Sequence, residues 1–185
     1  MPQNSNASRT KQSESDVRRD FPTQGVDSFL IGDLKMLVRM AIREDLGRTA
    51  DLTTLALVPA GRRGSASIIS RPQGVASGFG LIPMMLEELD ADLEVETFIV
   101  DGASFASKTT LATLTGSTRD LLTCERTILN FLGRLCGIAT QASDFCKEIA
   151  GTKARLYDTR KTTPGWRRLE KYATQCGGAH NHRLG

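Results

Sequence analysis

Residues 155–185 read RLYDTRKTTPGWRRLEKYATQCGGAHNHRLG, and the order of patterns in this stretch decides the fold. A short strand-like segment, Arg155 to Thr159, comes first. A loop and a helix pattern from Trp166 to about Cys176 follow it, and a second strand-like segment covers 179–185. Strand, loop, helix and strand form the repeating unit of an α/β barrel or a parallel sheet. The stretch therefore predicts the start of an incomplete α/β barrel.

The chain before this unit has a different pattern. Short strand-like segments at Ser65–Ser70, Leu93–Val100 and Thr109–Thr115 flank a helical spacing at Leu81–Leu89. This order is typical of an antiparallel α+β layer with helices packed on one face. From Thr118 to Ile149, apolar residues recur at spacings of three and four, which predicts a long helix region.

These patterns predict three parts, with a domain boundary close to Gly116. Residues 1–25 are polar and charged with little to bury, so a disordered tail is expected there, and order should begin near Phe29. An N-terminal α+β sandwich domain is predicted over 26–116. A linking helix region and the first part of the barrel domain are predicted over 117–185.

Helix ends are also predicted from single residues. Asp33 is expected to cap the first helix and Gly47 to end it, since aspartate accepts from free N–H groups and glycine adopts the left-handed conformation. Asp51–Thr54 is interpreted as a loop or turn. Ser117 is the expected N-cap of the long helix.

Composition excludes several classes of function. The chain has 185 residues, a net charge of +3 and 39% hydrophobic content, as in an ordinary globular domain, so overall charge does not indicate nucleic acid. No apolar run approaches the roughly 20 residues of a membrane helix, and the first residues lack the apolar core of a secretory signal. The cytoplasm is the expected compartment.

The cysteines do not indicate a metal site. Four are present without a CxxC pair, beside only two histidines, which argues against zinc. Cys124 and Cys136 fall within the long helix pattern and are expected to be buried, inert thiols.

Basic residues gather at the ends of the two strand-like segments. Arg160 and Lys161 directly follow the first segment, and His182 and Arg183 lie in or just after the second. The carboxyl ends of parallel strands form the mouth of α/β sites, so both groups should face one cleft. Arginine grips carboxylates bidentately, lysine supplies a compact charge, and Thr159 adds a hydroxyl. A polyanionic small molecule is the predicted ligand.

The other basic residues have a simpler interpretation. Arg167, Arg168 and Lys171 lie on the helix after the loop and are expected to be solvated surface charges. His182 is left open between a structural role and a ligand role, and His180 is expected to be incidental.

Four longer blocks resemble the signature blocks of the quinolinate phosphoribosyltransferase family. They are ERTILNFLGRLCGIAT at 125–140, DTRKTTPG at 158–165, LEKYA at 169–173 and GGAHNHRLG at 177–185. DLTT at 51–54 and the region of Gly74 and Gly78 resemble its N-terminal domain. The resemblance runs from about Leu34 to Gly185, and it implies an N-terminal α+β open-faced sandwich followed by an incomplete α/β barrel.

The resemblance implies a reaction. Quinolinate and phosphoribosyl diphosphate would react, with Mg2+, to give nicotinate mononucleotide, diphosphate and carbon dioxide in de novo NAD synthesis. It also implies a homodimer, in which the N-terminal part of one subunit covers the barrel mouth of the other. Nucleic acid and membrane partners are not expected.

The resemblance also assigns roles to residues. Arg160, His182 and Arg183 would hold the quinolinate carboxylates, and Lys161 would contact the phosphoribosyl diphosphate side. Arg160 and Lys161 are the expected catalytic residues, and Thr159 would line the pocket.

Arg126 illustrates how much the resemblance adds. From the residues alone it is a surface or ion-paired arginine within the long helix. The resemblance implies instead that it reaches quinolinate in the neighbouring subunit's site.

The family blocks are intact as far as Leu184 and Gly185, and the main departure from the family pattern comes at that point. The family's later lysine, its acidic residues for ribose and metal, and its glycine-rich phosphate loop have no counterpart, so a C-terminally truncated member is expected and the Mg2+ ligands are not in this chain. Two alternatives stay open. One is a non-catalytic binding or dimerisation module of the same family, and the other is a relative that acts on another aromatic acid.

Overall fold

A computed structural model of the chain describes residues 21–47 and 51–185. Of the tail predicted over 1–25, residues 1–20 lie outside the described residues. Within the remainder, Gln24 is buried and its main-chain N–H donates to Asn181 Oδ1 at 2.6 Å. The described structure thus has tertiary contacts well before Phe29.

The described residues form five α-helices, one 3-10 turn and five strands. The helices are α1 Ser28–Leu46, α2 Leu52–Leu57, α3 Ile82–Glu88, α4 Thr118–Glu148 and α5 Arg167–Cys176, and the 3-10 turn is Phe79–Leu81. The strands are β1 Arg63–Ile69, β2 Gly74–Val75, β3 Leu93–Thr97, β4 Ser104–Phe105 and β5 Thr110–Ser117. No helix among these residues combines the length and apolar character needed to cross a membrane.

The main sheet is antiparallel and open on one face. Its strand order is β1-β5-β3, and β2 pairs separately with β4. Ala112 and Leu114 of β5 point inward and are buried. Thr113 on the opposite face shares a hydrogen bond of 3.2 Å with the exposed hydroxyl of Ser67 on β1. The predicted open-faced α+β sandwich is confirmed.

Helix α4 contributes to two hydrophobic clusters, because two neighbouring stripes of residues along it face different elements. Phe131 and Leu135 belong to a cluster built with α1, α3 and α5. Ile128 and Leu132 belong to a cluster built with α3 and the sheet. The helix is continuous over 31 residues, and its predicted cap is confirmed, since Ser117 Oγ accepts from the N–H of Asp120 at 3.3 Å.

The first helix begins earlier than predicted. Asp27, not Asp33, is its N-cap and accepts from the N–H of Leu30 at 2.7 Å. Asp33 lies inside the helix and pairs with Arg168 at 3.3 Å. The prediction of Gly47 as the helix end is confirmed by its φ of 60° and its hydrogen bond to Arg43 O.

The prediction of a loop at Asp51–Thr54 was wrong, because Asp51 caps a short helix. Its carboxylate accepts from the N–H of Thr54 at 3.0 Å and from the Thr54 hydroxyl at 2.5 Å. These hydrogen bonds favour the charged form and lower the pKa of Asp51 from its usual value. The carboxylate supplies the partner that lets a six-residue helix form.

The barrel unit appears as a parallel bridge with a helix crossing over. Tyr157 pairs with His180 in parallel, and Asp158 N donates to His180 O at 3.0 Å. The two strand-like segments are therefore shorter than predicted, while their parallel arrangement and the helix between them are as predicted. No closed barrel forms within the described part of the chain.

The cysteines have no disulfide partners among the described residues. Cys124 is buried as predicted, whereas Cys136 and Cys176 are half-buried, and loss of solvent raises the pKa of all three thiols. Burial raises the pKa of Cys124 to about 12 and that of Cys136 to about 11.

At pH 8 in native buffer, we expect iodoacetamide to modify Cys124 at least about 100-fold more slowly than in urea, because the thiolate is the reactive form. Peptide mass spectrometry over time would measure both rates, and equal rates in the two solvents would contradict the buried position.

Candidate functional site

A buried ion pair lies between the two strand-like segments. Lys171 is 1% exposed, and its Nζ donates to Asp158 Oδ1 at 2.5 Å and to the carbonyl oxygen of His182 at 2.9 Å. The prediction that Lys171 is a surface charge was wrong. Successive residues of an α-helix are rotated by about 100° around its axis, so Lys171 lies on the side of α5 opposite Leu169 and Ala173. That side is covered by the segments that contain Asp158 and His182.

The remaining hydrogen-bonding capacity of Asp158 is also used. Asn181 Nδ2 donates to Asp158 Oδ2 at 2.8 Å, and His182 N donates to Asp158 Oδ1 at 2.7 Å. Asn181 Nδ2 also donates to Lys171 O at 2.9 Å. We name Asp158, Lys171, Asn181 and His182 the Asp158 network. Such a network satisfies the buried charges and fixes the ends of both segments against α5.

Thr159 and Lys161 line one cleft beside the Asp158 network. The cleft has a volume of about 310 Å3. Lys161 N donates to Thr159 Oγ1 at 3.1 Å, which bends the chain directly after the buried aspartate. Both side chains are exposed, so they are available to a ligand. The structure brings together two of the residues that sequence predicted for the site.

Arg134 of α4 and Glu170 of α5 line the same cleft and were missed by the sequence analysis. Glu170 accepts from Arg134, and its other oxygen accepts from the N–H of Thr163 at 3.2 Å. Arg134 also donates to Thr163 Oγ1 at 2.5 Å and lies 5.0 Å from the Trp166 ring centre. These contacts hold the loop before α5 in place. Their only sequence signal was opposite charge on two predicted helices.

Arg160, His182 and Arg183 do not line this cleft. Arg160 and Arg183 have exposed side chains beside the Asp158 network. The ring of His182 is half-buried, with its centre 4.5 Å from that of Phe21, so His182 combines a structural contact with partial exposure. His180 contributes its main chain to the parallel bridge, while its side chain is exposed.

Arg126 lies at a different cleft, between α1, α2 and α4. This cleft has a volume of about 500 Å3 and is also lined by Asp45 and Asp51. Arg126 is 71% exposed and pairs with Asp45 of α1. The interpretation of Arg126 from residues alone, as a surface or ion-paired arginine, is confirmed, since the side chain is both exposed and paired. The structure does not bring it into the cleft of Lys161.

Within the residues that the structure describes, no group of three or more His, Cys, Asp and Glu side chains could hold a metal ion. Thr159 and Lys161 give their cleft a hydroxyl and a positive charge, and the cleft lies next to the rigid Asp158 network. This arrangement suits the binding of an anionic ligand by charge-assisted hydrogen bonds.

Two family models match this chain. The N-terminal domain model of quinolinate phosphoribosyl transferase matches residues 51–136, and the C-terminal domain model matches residues 138–185. Together they cover all but one residue from Asp51 to the last residue, and they meet within α4.

Curated relatives agree with this match. The chain is 42% identical over 150 residues to nicotinate-nucleotide pyrophosphorylase [carboxylating] of Mycobacterium leprae, covering 80% of this chain and 53% of that protein. It is 35% identical over 153 residues to the chloroplastic protein of the same name from Oryza sativa subsp. japonica, covering 83% and 41%. The chain thus spans about half the length of the curated relatives that it matches.

A solved structure confirms the fold. The nicotinate-nucleotide pyrophosphorylase from Francisella tularensis superposes with a TM-score of 0.81 at 32% identity, covering 90% of this chain and 58% of that one.

Proposed function

Because the chain belongs to the quinolinate phosphoribosyltransferase family, we propose that it binds quinolinate and takes part in phosphoribosyl transfer from phosphoribosyl diphosphate. The products would be nicotinate mononucleotide, diphosphate and carbon dioxide. The observation that carries the proposal is the Asp158 network, since it fixes the residues on either side of it. Arg160 and Lys161 follow one end of the network, and Arg183 follows the other.

The proposed division of labour follows from the chemistry of the substrates. Quinolinate carries two carboxylates, which Arg160, His182 and Arg183 would grip through charge-assisted hydrogen bonds. Holding both carboxylates would orient the ring nitrogen toward the ribose carbon, and orientation of this kind lowers the entropic part of the barrier. Positive charge builds at that carbon as diphosphate leaves, and fixed cations stabilise the departing charge.

Lys161 and Thr159 are proposed for the donor side of the site. Lys161 lines the cleft with its charge exposed, so it can contact a phosphate group. Mg2+ is expected to accompany phosphoribosyl diphosphate and to offset the charge of the diphosphate. Its protein ligands are expected to lie outside the described residues, among which no group of three or more His, Cys, Asp and Glu side chains could hold a metal ion.

We propose that the chain forms a homodimer, in which Arg126 of one subunit reaches the site of the other. Its side chain is 71% exposed and lies at a cleft apart from Lys161, so it would serve a neighbouring site rather than its own. The domain division near Gly116 and the cytoplasmic location stay predictions.

Calorimetry with quinolinate and nicotinate tests the proposed function. We expect this chain to bind quinolinate more tightly than nicotinate, because the second carboxylate adds charged hydrogen bonds worth about 10- to 100-fold in affinity. Arg160→Ala should weaken quinolinate binding by a similar factor.

Lys153→Ala is the matched control, because it removes one exposed positive charge from the turn that precedes the Arg155–Thr159 segment. It should change quinolinate affinity by less than about twofold, since exposed charges away from the ligand contribute little. Equal effects of the two variants, or equal affinity for the two acids, would contradict the proposal and favour a relative with another substrate.

Turnover separates the enzyme from the binding-module alternative. Quinolinate and phosphoribosyl diphosphate would be mixed with the chain and nicotinate mononucleotide measured by chromatography. The relatives are named as enzymes, which favours an enzyme over a module. Binding without product would favour the module for this chain.

A further inference from the structure

The two groups of basic residues are attached to one buried lysine. Asp158 is the residue immediately before Thr159 and Arg160, and His182 is the residue immediately before Arg183. Lys171 Nζ donates one hydrogen bond to the side chain of Asp158, at 2.5 Å, and another to the main-chain carbonyl of His182, at 2.9 Å. A single ammonium group therefore connects the chain segments that carry the proposed carboxylate ligands.

The connection is rigid because its two charged side chains are buried and each makes more than one hydrogen bond. The side chains of Lys171 and Asp158 are 1% and 7% exposed, so water does not screen their attraction. Asp158 also accepts from the N–H of His182, and Asn181 bridges the pair from the other side. The main chain at His182 is thus held through its N–H by Asp158 and through its carbonyl by Lys171.

The region before α1 strengthens this anchor. Gln24 N donates to Asn181 Oδ1 at 2.6 Å, and the Phe21 ring lies 4.5 Å from the His182 ring. The side chain of His182 therefore has a packed partner on one side. Movement of the His182 main chain would disturb both the ring contact and the buried network.

We propose that Lys171 is a positioning residue that sets the spacing between the Arg160 and Arg183 segments and thereby selects a dicarboxylate over a monocarboxylate. This inference rests on the proposed function. A ligand with two carboxylates must reach both segments at once, so its affinity depends on their spacing. A monocarboxylate needs only one segment and is insensitive to the spacing.

A purely structural lysine would behave differently. Loss of folded protein lowers the number of binding sites per chain but leaves the affinity of each remaining site unchanged. A change in spacing instead lowers the affinity for quinolinate and leaves that for nicotinate almost unchanged. The ratio of the two affinities therefore separates a positioning role from a structural one.

The test is calorimetry of quinolinate and nicotinate binding to Lys171→Met, which keeps the length of the side chain and removes its charge. The parent should prefer quinolinate by about 10- to 100-fold, and Lys171→Met should reduce the preference to about threefold or less. Lys147→Met is the matched control, because Lys147 pairs with Asp144 on the surface of α4, and it should keep the parent's preference.

A second variant removes the risk that an unpaired Asp158 unfolds the chain. Asp158→Asn combined with Lys171→Met leaves no buried charge without a partner, and circular dichroism would show its helix content. It should also lose the preference for the dicarboxylate.

The outcomes are distinct. A parent-like preference in folded Lys171→Met or in the double variant would overturn the positioning role and leave the proposed function intact. A parent chain that binds neither acid would overturn the proposed function, and the positioning role with it. A lost preference with a parent-like number of binding sites would support the positioning role.

Discussion

Replacing Leu135 with alanine is expected to lower the free energy of unfolding by about 3–5 kcal/mol, the upper part of the range for buried leucines. Leu135 has no exposed surface and lies in the cluster formed with α1, α3 and α5. Its surroundings also have little freedom to close the resulting cavity. A β-carbon placed on Gly78 would lie 2.7 Å from Leu135 Cδ1, so the main chain of that turn already touches the leucine.

Leu129→Ala is the matched control on the same helix. Leu129 is 42% exposed, and the same truncation there should cost less than about 1 kcal/mol. Urea unfolding followed by circular dichroism would give both values from the shift of the midpoint at constant slope. Similar losses for the two variants would contradict the assignment of Leu135 to the core.

Replacing Gly177 with alanine should cost about 2–3 kcal/mol for the opposite reason, because it adds an atom where none fits. A β-carbon at Gly177 would lie 2.3 Å from the carbonyl oxygen of Ala139 and 2.7 Å from the β-carbon of Ala142. Both belong to α4, whose hydrogen-bonded main chain cannot withdraw cheaply. The helix pair α4 and α5 would have to separate at this crossing.

Gly133→Ala is expected to have the opposite sign. Gly133 lies within α4, and a β-carbon there would meet nothing within 4 Å. Alanine should therefore stabilise the helix by about 0.5–1 kcal/mol, since it has the higher helix propensity. Thermal unfolding of both variants beside the parent measures the pair. A stable Gly177→Ala protein would mean that the two helices cross less closely than the structure describes.

Periodic patterns predicted the framework of the fold. The strand predicted over Leu93–Val100 is present as far as Thr97, and the long helix is present over Thr118–Glu148. Both were predicted because each presents one apolar face, and these faces pack against the hydrophobic clusters. Asp33 and Asp51 were misassigned because aspartate can cap a helix or lie beside it, and the choice depends on which N–H groups tertiary packing leaves free.

The candidate site was predicted in part. Thr159 and Lys161 follow a strand-like segment, and the rule that sites form at strand ends was enough to bring them to one cleft. Lys171 was misjudged because a lysine on a helix is ordinarily exposed. Its burial depends on Asp158, 13 residues before it, and Asn181, 10 residues after it, folding back against α5. The residues next to Lys171 in the sequence do not indicate these contacts.

The hydrogen bond between Gln24 and Asn181 also has a consequence for the timing of folding. The two residues are 157 positions apart, and Gln24 is buried by contacts that include this bond. During synthesis, which proceeds from the N-terminus, the region before α1 leaves the ribosome long before its partner is made. The first described residues of the chain are therefore among the last to reach their final contacts.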